Sequence, residues 1–254
     1  MKLFSLEDLP KVPNLKIAVI GHVEWVTFLA VERFPQGGLI AHGEIYQEAP
    51  AGGGAVTAVQ IAKLTKSPVH LFTSLGKDSE GEKSVSRLQE IGLKTSVAWR
   101  EQPTRRGLSM LDKSGERAIT VIGDRLEPKA KDKLPWEELK DYDGVFVTAT
   151  DTEGLTLCRK ATVMVATPRI GSNKLQKSQI QLDALVGSAL DPDEMPQILN
   201  SQTSTKLRIA TEGALGGKAW PGGNFKPYKL SSKSIDSYGC GDSFAGGLTT
   251  GLAA

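Results

Sequence analysis

Residues 237–247 read SYGCGDSFAGG, and they place a single acid, Asp242, directly behind two glycines and ahead of a run of small residues. Gly239 and Gly241 have no Cβ, so the backbone there can bring its N–H groups close to a ligand. The residues that follow predict a helix beginning near Asp242. Free N–H groups and the positive end of the helix dipole favour negative charge, which makes Gly239, Cys240 and Gly241 candidates for binding a phosphate. The alternative is an ordinary helix start that Asp242 caps.

The predicted helix carries one apolar stripe. Phe244, Leu248 and Leu252 recur every four residues, which is the spacing of one helix face. Residues 245–247 are Ala-Gly-Gly, so we expect a neighbouring element to pack closely against this helix.

The composition favours one large α/β domain. With 254 residues, of which 39% are hydrophobic, the chain can bury a sizeable core. A net charge of +2 argues against an extended nucleic-acid surface, and no apolar run is long enough to cross a membrane. Residues 1–15 include acids and prolines and lack the unbroken apolar core of a secretory signal. We therefore expect a cytoplasmic protein whose partners are neither nucleic acids nor membranes.

Cysteine and histidine usage agrees with that expectation. Cys158 and Cys240 are too few for a disulfide framework, which favours a reducing compartment. His22, His42 and His70 are scattered without the spacing of metal ligands, which favours structural roles for them.

Strands and helices alternate along the chain. Residues 16–21, KIAVIG, are typical of a buried parallel strand that ends at a ligand-facing edge. Residues 25–47 predict hairpin strands that stand off the main sheet, and residues 108–122 predict a second pair. Residues 51–54, AGGG, open a helix whose predicted apolar face comprises Val56, Val59, Ile61 and Leu64. Further strands are predicted at residues 69–75, 144–148, 162–166 and 207–211, and a helix at residues 81–91. This alternation predicts a mostly parallel sheet covered by helices on both faces.

Four ordered motifs resemble those of the PfkB/ribokinase family of ATP-dependent small-molecule kinases. Residues 236–244, DSYGCGDSF, are similar to the signature DTTGAGDxF, and residues 75–82, LGKDSEGE, are similar to VGxDxxGE. Residues 114–117, SGER, match the DGER turn, and residues 210–216, ATEGALG, resemble the TxGxxG stretch. The resemblance implies a ribokinase-like three-layer α/β/α sandwich over residues 1–254, with a small β-sheet lid formed by residues 25–50 and 104–122. The chain ends earlier than the family pattern, so we also expect a truncated C-terminal end.

The same resemblance implies the site residues on the phosphate side. Asp242 would be the catalytic base, and the backbone amides of Gly239, Cys240 and Gly241 would form the anion hole. The nucleotide would bind beside Thr211, Gly213 and Gly216.

The implied cofactors are ATP, Mg²⁺ and potassium. Asp236 and Tyr238 would supply oxygen atoms to the monovalent cation. The family's NxxE motif, which organises magnesium through water, aligns with Ser188 and Asp191, while a polar cap before the next helix is the alternative for Asp191. A thiol at Cys240, at a helix start, also suggests redox sensitivity, against the simpler interpretation of a small packing residue.

The acceptor side departs from the family pattern. Val26 stands where an acid usually meets sugar hydroxyls, so Glu24 is the candidate for that role. The second glycine-rich helix start completes the substrate-binding set, which comprises Gly52, Gly53 and Gly54. Trp25 is a candidate for stacking on a sugar or a base, or equally for the core of the lid.

The sequence therefore predicts a kinase for a sugar or sugar-like metabolite. A nucleoside kinase is the second choice, and a non-catalytic regulatory or binding protein on the same fold is the alternative from another class. A dinucleotide-dependent oxidoreductase is disfavoured, because the exit of the first strand lacks the glycine fingerprint of such enzymes. The resemblance also implies that the lid can mediate a homodimer.

Overall fold

A computed structural model describes residues 14–200, 202–230 and 236–254. The N-terminal stretch of residues 1–15, for which the sequence predicts no secretory signal, lies outside the described residues except for residues 14 and 15. The strands are β1 (Ile17–Ile20), β2 (Glu24–Val31), β3 (Gly43–Ala51), β4 (His70–Gly76), β5 (Lys94–Arg100), β6 (Arg106–Leu111), β7 (Arg117–Ile122), β8 (Gly144–Val147), β9 (Val163–Ala166), β10 (Leu182–Ser188), β11 (Thr205–Thr211), β12 (Gly217–Trp220) and β13 (Gly223–Phe225). The helices are α1 (Gly52–Thr65), α2 (Ser79–Glu90), α3 (Thr152–Cys158), α4 (Ser172–Ser178), α5 (Met195–Asn200) and α6 (Cys240–Ala253).

A nine-stranded sheet forms the centre of the described chain, in the order β13-β12-β11-β10-β9-β8-β1-β4-β5. The seven strands that are adjacent in the sheet run parallel: β11, β10, β9, β8, β1, β4 and β5. Strands β12 and β13 are antiparallel to their neighbours. Strand β1 is buried on both faces: Ile17 and Val19 pack into the core that includes α1 and α6, whereas Ala18 and Ile20 pack into the core that includes α3 and α4. Helices thus cover both faces, which confirms the predicted three-layer sandwich.

Helices α1 and α6 pack closely through small residues. A Cβ at Gly246 would lie 3.2 Å from Ile61 Cγ1, which is tighter than ordinary van der Waals contact, so glycine favours this close approach. Two predicted apolar positions are wrong as a result: Leu64 is 51% exposed and Leu252 is 38% exposed. The buried faces of these helices are built mainly from Ala, Gly and Thr, because close helix packing leaves little room for larger side chains.

The lid is a separate four-stranded sheet in the order β3-β2-β6-β7. The outer pairs are antiparallel and the central pair, β2 with β6, is parallel. Several large apolar side chains of the lid are exposed: Ile45, Tyr46, Ile119, Val121 and Ile122. The predicted lid is confirmed, while dimerisation through it stays a prediction.

Among the described residues, no helix combines the length and apolar character that a membrane crossing requires.

Candidate active site

The starts of α1 and α6 meet at the carboxyl ends of the central strands. The Gly54 N–H donates to the His22 carbonyl oxygen at 3.1 Å, which fixes the start of α1 against the exit of β1. A Cβ built on Gly53 would lie 3.2 Å from Asp242 Oδ1 and 3.1 Å from Thr148 Oγ1. The structure therefore brings Asp242 directly beside the predicted substrate-binding glycines.

Helix α6 begins at Cys240, and Gly239 is its N-cap residue. Gly239 has φ 70°, a left-handed conformation that favours glycine, and a Cβ there would lie 2.7 Å from Val56 Cγ1. Asp242 sits in the first turn, and no side chain caps this helix. The interpretation of Asp242 as a cap is therefore wrong. The residues Cys240 and Gly241 are exposed, and the Cys240 N–H donates to the Ser237 carbonyl oxygen at 3.3 Å.

The Asp242 carboxylate is largely buried among charged groups. Its side chain is 17% exposed, and Arg169 Nη1 lies 3.8 Å from its Oδ1 atom. Burial raises the pKa of Asp242, the charges of Arg169 and His22 lower it, and Glu194 and Glu24 raise it again. The net result is a raised pKa, which makes this carboxylate a better proton acceptor than an exposed aspartate.

Glu194 is a site residue that the sequence analysis missed. It is 4% exposed, its Oε1 accepts from Arg169 Nε at 2.5 Å, and its Oε2 accepts from the Ser188 N–H at 2.8 Å. Arg169 thus links Glu194 to Asp242. A small cavity of about 40 Å³ is lined by both acids, Ser188 and Thr211. A glutamate directly after the turn of residues 191–193 gives no signal by itself, because its contact with the Ser188 N–H depends on the fold.

Asp191, the predicted magnesium residue, organises the start of α5. Its Oδ1 accepts from the Asp193 N–H at 2.9 Å, and its carbonyl accepts from the N–H groups of Glu194 and Met195. The Ser188 hydroxyl accepts from the Leu190 N–H at 3.1 Å. These contacts favour the alternative of a polar cap, and the magnesium role of Asp191 stays a prediction.

Glu24 and His22 form a buried pair on the acceptor side of Asp242. They are 8% and 5% exposed, and Glu24 Oε1 lies 3.6 Å from His22 Nε2. Burial raises the pKa of Glu24, but His22 and the charges of Arg105 and Arg125 outweigh it and hold that pKa below its ordinary value. The contacts of His22 were not foreseen from the sequence, although it directly follows the first strand. Gly52 lies beside both side chains, since a Cβ there would come within 3.0 Å of Glu24 Cγ.

Neighbouring side chains of β2 point elsewhere. Val26 is 2% exposed and packs with Phe28 and Ala51 beneath the lid. The Trp25 ring lies against α2, where Lys83 Nζ is 5.8 Å from the ring centroid. This position favours the lid-core interpretation of Trp25 and removes the sequence argument for base stacking.

A second cavity, of about 330 Å³, lies on the other side of the α6 start. We call it the nucleotide cavity; it is lined by Thr211, Gly213, Gly216, Phe225, Lys226, Pro227, Tyr228, Cys240, Gly241 and Phe244. The three predicted nucleotide-binding residues and two of the three predicted anion-hole residues therefore meet in one place. The Phe225 and Phe244 rings stack with their centroids 5.7 Å apart, so the β12–β13 hairpin, absent from the sequence prediction, helps form the wall.

Asp236 and Tyr238 contact the lid. Asp236 Oδ1 accepts from Arg117 on β7 and from the Tyr238 N–H at 2.7 Å. The Tyr238 ring packs edge-on against Phe28 with centroids 5.0 Å apart, and burial raises its pKa to about 12. Among residues 14–200, 202–230 and 236–254, no group of three or more His, Cys, Asp or Glu side chains could hold a metal ion. The monovalent-cation role of Asp236 and Tyr238 stays a prediction.

Comparison with known proteins agrees with this geometry. Residues 14–254 match the family described as pfkB family carbohydrate kinase. The ribokinase of Lactococcus lactis is 25% identical over 251 residues, which cover 93% of this chain and 83% of the relative.

Solved structures share the fold. Ribokinase from Thermotoga maritima superposes with a TM-score of 0.72 at 20% identity, covering 94% of this chain and 86% of that chain. Arabidopsis thaliana ribokinase, complexed with ribose and ATP, gives 0.69 at 17% identity, with the same coverage of 94% and 86%. A nucleoside kinase from Methanocaldococcus jannaschii gives 0.68 at 17% identity, with 94% and 85% covered. The predicted ribokinase-like fold is confirmed.

Proposed function

The chain belongs to the pfkB family of carbohydrate kinases, and from that premise we propose that it transfers the γ-phosphoryl group of ATP to a hydroxyl group of a sugar or sugar-like metabolite. The observation that carries the proposal is the position of Asp242. Its carboxylate lies in the first turn of α6, between the nucleotide cavity and the glycines that start α1. In the proposal, ATP binds on one side of this carboxylate and the acceptor hydroxyl on the other.

Asp242 acts as the catalytic base in the proposed reaction. Its carboxylate orients the acceptor hydroxyl and takes the proton as the oxygen attacks the γ-phosphorus. The bond from phosphorus to the bridging oxygen of ATP breaks, and ADP leaves. The raised pKa of Asp242 favours proton acceptance late in the transfer.

The amides of Gly239, Cys240 and Gly241 form the anion hole in this proposal. They precede Asp242 at the positive end of α6, where negative charge on the transferring phosphoryl group is stabilised. Thr211, Gly213 and Gly216 then border the nucleotide, since they line the cavity that Cys240 and Gly241 also line.

Magnesium fits the residues around the small cavity. Mg²⁺ bound with ATP would neutralise phosphate charge. Glu194 lines the small cavity with Asp242, whereas Asp191 does not, so Glu194 is the candidate to hold a water molecule of that ion through the lone pairs that its hydrogen bonds from Arg169 and the Ser188 N–H leave available. Arg169 holds Glu194 and Asp242 in position through its two contacts.

Potassium is not part of the proposal. The Asp236 oxygen predicted to bind it already accepts from Arg117 and from the Tyr238 N–H, and the guanidinium supplies positive charge at this place. The monovalent-cation role of Asp236 and Tyr238 therefore stays a prediction and supplies no step of the proposed reaction.

The proposal is tested by incubating the protein with Mg²⁺-ATP and a panel of sugars, sugar acids, sugar phosphates and nucleosides, with products identified by mass spectrometry. A phosphorylated product that the Asp242→Asn variant does not form supports the proposal. A product formed only from nucleosides would favour the nucleoside kinase. If folded protein binds ATP but phosphorylates no compound of the panel, the non-catalytic alternative is favoured.

A further inference from the structure

Two arginines stand where the lid joins the central sheet. Arg105 immediately precedes β6, and Arg125 follows β7 by three residues. The Trp25 N–H donates to the Arg105 carbonyl at 3.0 Å, and this hydrogen bond holds the start of β6 against β2 beside Glu24. Both arginines therefore flank the acceptor side of the site and are half-buried there.

Their charges are only partly balanced by the protein. Glu24 Oε2 lies 3.5 Å from Arg105 Nε, in a contact longer than a normal hydrogen bond. In the described part of the chain, no carboxylate lies within 4 Å of the Arg125 guanidinium, whose Nη2 donates to the Arg169 carbonyl at 2.9 Å. Burial and the charges of Arg105 and Arg169 lower the pKa of Arg125, and together they outweigh the opposing charges of Glu127 and Glu24. Two carboxylates, Glu24 and Glu127, thus act on these guanidinium groups, and Glu127 is already paired with Lys174 Nζ at 2.8 Å.

Buried polar atoms beside these arginines also lack partners. Among the described residues, Nδ1 of His22 is buried and makes no hydrogen bond, and Oε2 of Glu24 and Nε of Arg105 are buried and have only their mutual ion-pair contact at 3.5 Å, without a hydrogen bond. His22 and Glu24 are both more than nine-tenths buried. Unsatisfied buried donors and acceptors are costly, so their concentration at one place indicates a bound polar ligand.

Two other half-buried arginines, Arg100 and Arg159, have carboxylate partners. Arg100 binds Asp132 with two hydrogen bonds of 2.7 Å and 2.5 Å, and Arg159 binds Asp183 at 2.6 Å. Arg125 is different, which argues against a purely structural role.

The phosphates of ATP do not account for this charge. Neither Arg105 nor Arg125 lines the nucleotide cavity, which lies across the start of α6. Arg169 stands between the two sides, and it is already opposed by Glu194 and Asp242. The uncompensated charge is therefore directed at the acceptor.

We propose that the acceptor carries an anionic group, a carboxylate or a phosphate, which Arg105 and Arg125 bind while Glu24 and His22 contact its hydroxyl groups. The guanidinium fork matches either anion with paired hydrogen bonds. This inference rests on the proposed kinase function and narrows its substrate class to sugar acids and sugar phosphates.

The test compares compounds that share a carbon skeleton and differ in charge. Ribose, ribonate and ribose 5-phosphate form one set, and glucose, gluconate and glucose 6-phosphate form another. ADP release and product mass are measured for the wild type, Arg125→Gln, Arg125→Lys and Arg105→Gln. Arg87→Gln, on the exposed face of α2, is the matched control. A parallel binding arm measures the same compounds by calorimetry in the presence of a non-hydrolysable ATP analogue.

We expect charged acceptors to exceed their neutral counterparts by about 10- to 100-fold in kcat/KM, the range for charge-assisted hydrogen bonds. Arg125→Gln should remove this preference through KM for the acceptor, with KM for ATP and the melting temperature unchanged. Arg125→Lys should retain part of the preference because it keeps the charge. A comparison of ribonate with ribose 5-phosphate shows whether the site prefers a carboxylate or a phosphate.

Two results would overturn the inference. Equal turnover of neutral and charged acceptors, unaffected by Arg125→Gln, overturns it while the kinase proposal stands. If no compound is phosphorylated, the binding arm decides: charged compounds that bind only when Arg125 is present support the anion site although the kinase proposal fails. Absence of any charge preference in binding overturns the anion site.

Discussion

The guanidinium group of Arg117, on lid strand β7, forms an ion pair with the carboxylate of Asp236, which begins the segment leading to the anion-hole loop. Arg117 also donates to the Ser109 hydroxyl on β6 and lies 5.3 Å from the Tyr238 ring centroid. The side chains of Arg117 and Asp236 are 9% and 32% exposed, so water screens this pair only partly. One arginine therefore couples the position of the lid to the loop before α6.

Breaking this pair should impair catalysis. We expect Arg117→Gln and Asp236→Asn each to lower kcat/KM about tenfold, which corresponds to the loss of one charged hydrogen bond. The double variant should be no worse than either single variant, because both remove the same contact. Lys113→Gln is the control, since Lys113 forms a fully exposed lid pair with Glu32. Additive losses in the cycle would show that the two residues act independently.

Asp242→Asn should stabilise the protein at neutral pH while abolishing turnover. The pKa of Asp242 is raised, so the folded chain binds this proton more tightly than the unfolded chain. The stability that this group contributes is present below the unfolded pKa and is lost as the pH rises through the folded pKa. At pH 7 the ionised carboxylate therefore costs stability, and asparagine removes that cost. We expect the melting temperature to rise by about 2–4 °C, the shift for roughly 1 kcal/mol in a chain of this size.

The pH dependence separates this explanation from a general effect of the substitution. The gain should shrink as the pH is lowered towards about 4, where an aspartate in the unfolded chain is also protonated. Asp141→Asn, at an exposed aspartate, should leave the melting temperature unchanged at every pH. A lower melting temperature of Asp242→Asn at pH 7 would contradict this prediction, because it would show that the ion pair with Arg169 stabilises the folded protein more than burial of the carboxylate destabilises it.

The sequence predicted the parts of the site that depend on local backbone chemistry. Asp242 follows the glycines at the start of α6, and Gly52, Gly53 and Gly54 begin α1. Glycine-rich helix starts can be recognised from the sequence alone. The first strand follows from its apolar run, and the covered parallel sheet follows from the alternation of strands and helices, whereas the lid was implied by the family resemblance.

The missed residues depend on contacts between distant segments. Glu194 enters the site only because the chain turns back after β10, and Arg125 only because the lid returns to the sheet there. His22 was judged by the spacing of metal ligands, which does not test for a partner such as Glu24 at the sheet edge. Leu252 fits a helical stripe, but the close approach of α1 and α6 buries smaller residues in its place.

Glu194 and Asp191 can be distinguished as magnesium-side residues. We expect Glu194→Gln to lower kcat by about 100-fold, within the range for lost electrostatic stabilisation at an active site, and to raise the Mg²⁺ concentration required. Asp191→Asn should change either value by less than about threefold, because its carboxylate serves the turn before α5. Titrating Mg²⁺ at a fixed ATP concentration measures kcat and the Mg²⁺ requirement of each variant. The reverse order of effects would restore Asp191 as the magnesium residue.

Gly53 and Gly54 should respond differently to alanine, although they are adjacent. A Cβ at Gly54 would lie 2.7 Å from the His22 carbonyl oxygen, so the backbone must shift, and we expect a stability loss of about 1–3 kcal/mol. A Cβ at Gly53 would lie 3.1 Å from Thr148 Oγ1 and 3.2 Å from Asp242 Oδ1, which side chains can relieve.

Gly53→Ala should therefore fold normally and lose about tenfold or more in kcat through displacement of Asp242. Urea unfolding and steady-state kinetics on both variants measure the two effects. Equal destabilisation by both substitutions would mean that Gly53 is only a packing position.

Alkylation of Cys240 should report nucleotide binding. Cys240 is exposed and lines the nucleotide cavity, whereas Cys158 is fully buried and its thiol has a pKa raised by burial. Native protein treated with iodoacetamide should therefore be modified at Cys240 and not at Cys158, which is the internal control. Mg²⁺-ATP at ten times its dissociation constant should slow the reaction roughly tenfold, because the free site is depleted in that proportion. Peptide mass spectrometry follows both thiols. Undiminished alkylation at a saturating ATP concentration would place the nucleotide away from Cys240 and so away from the proposed anion hole.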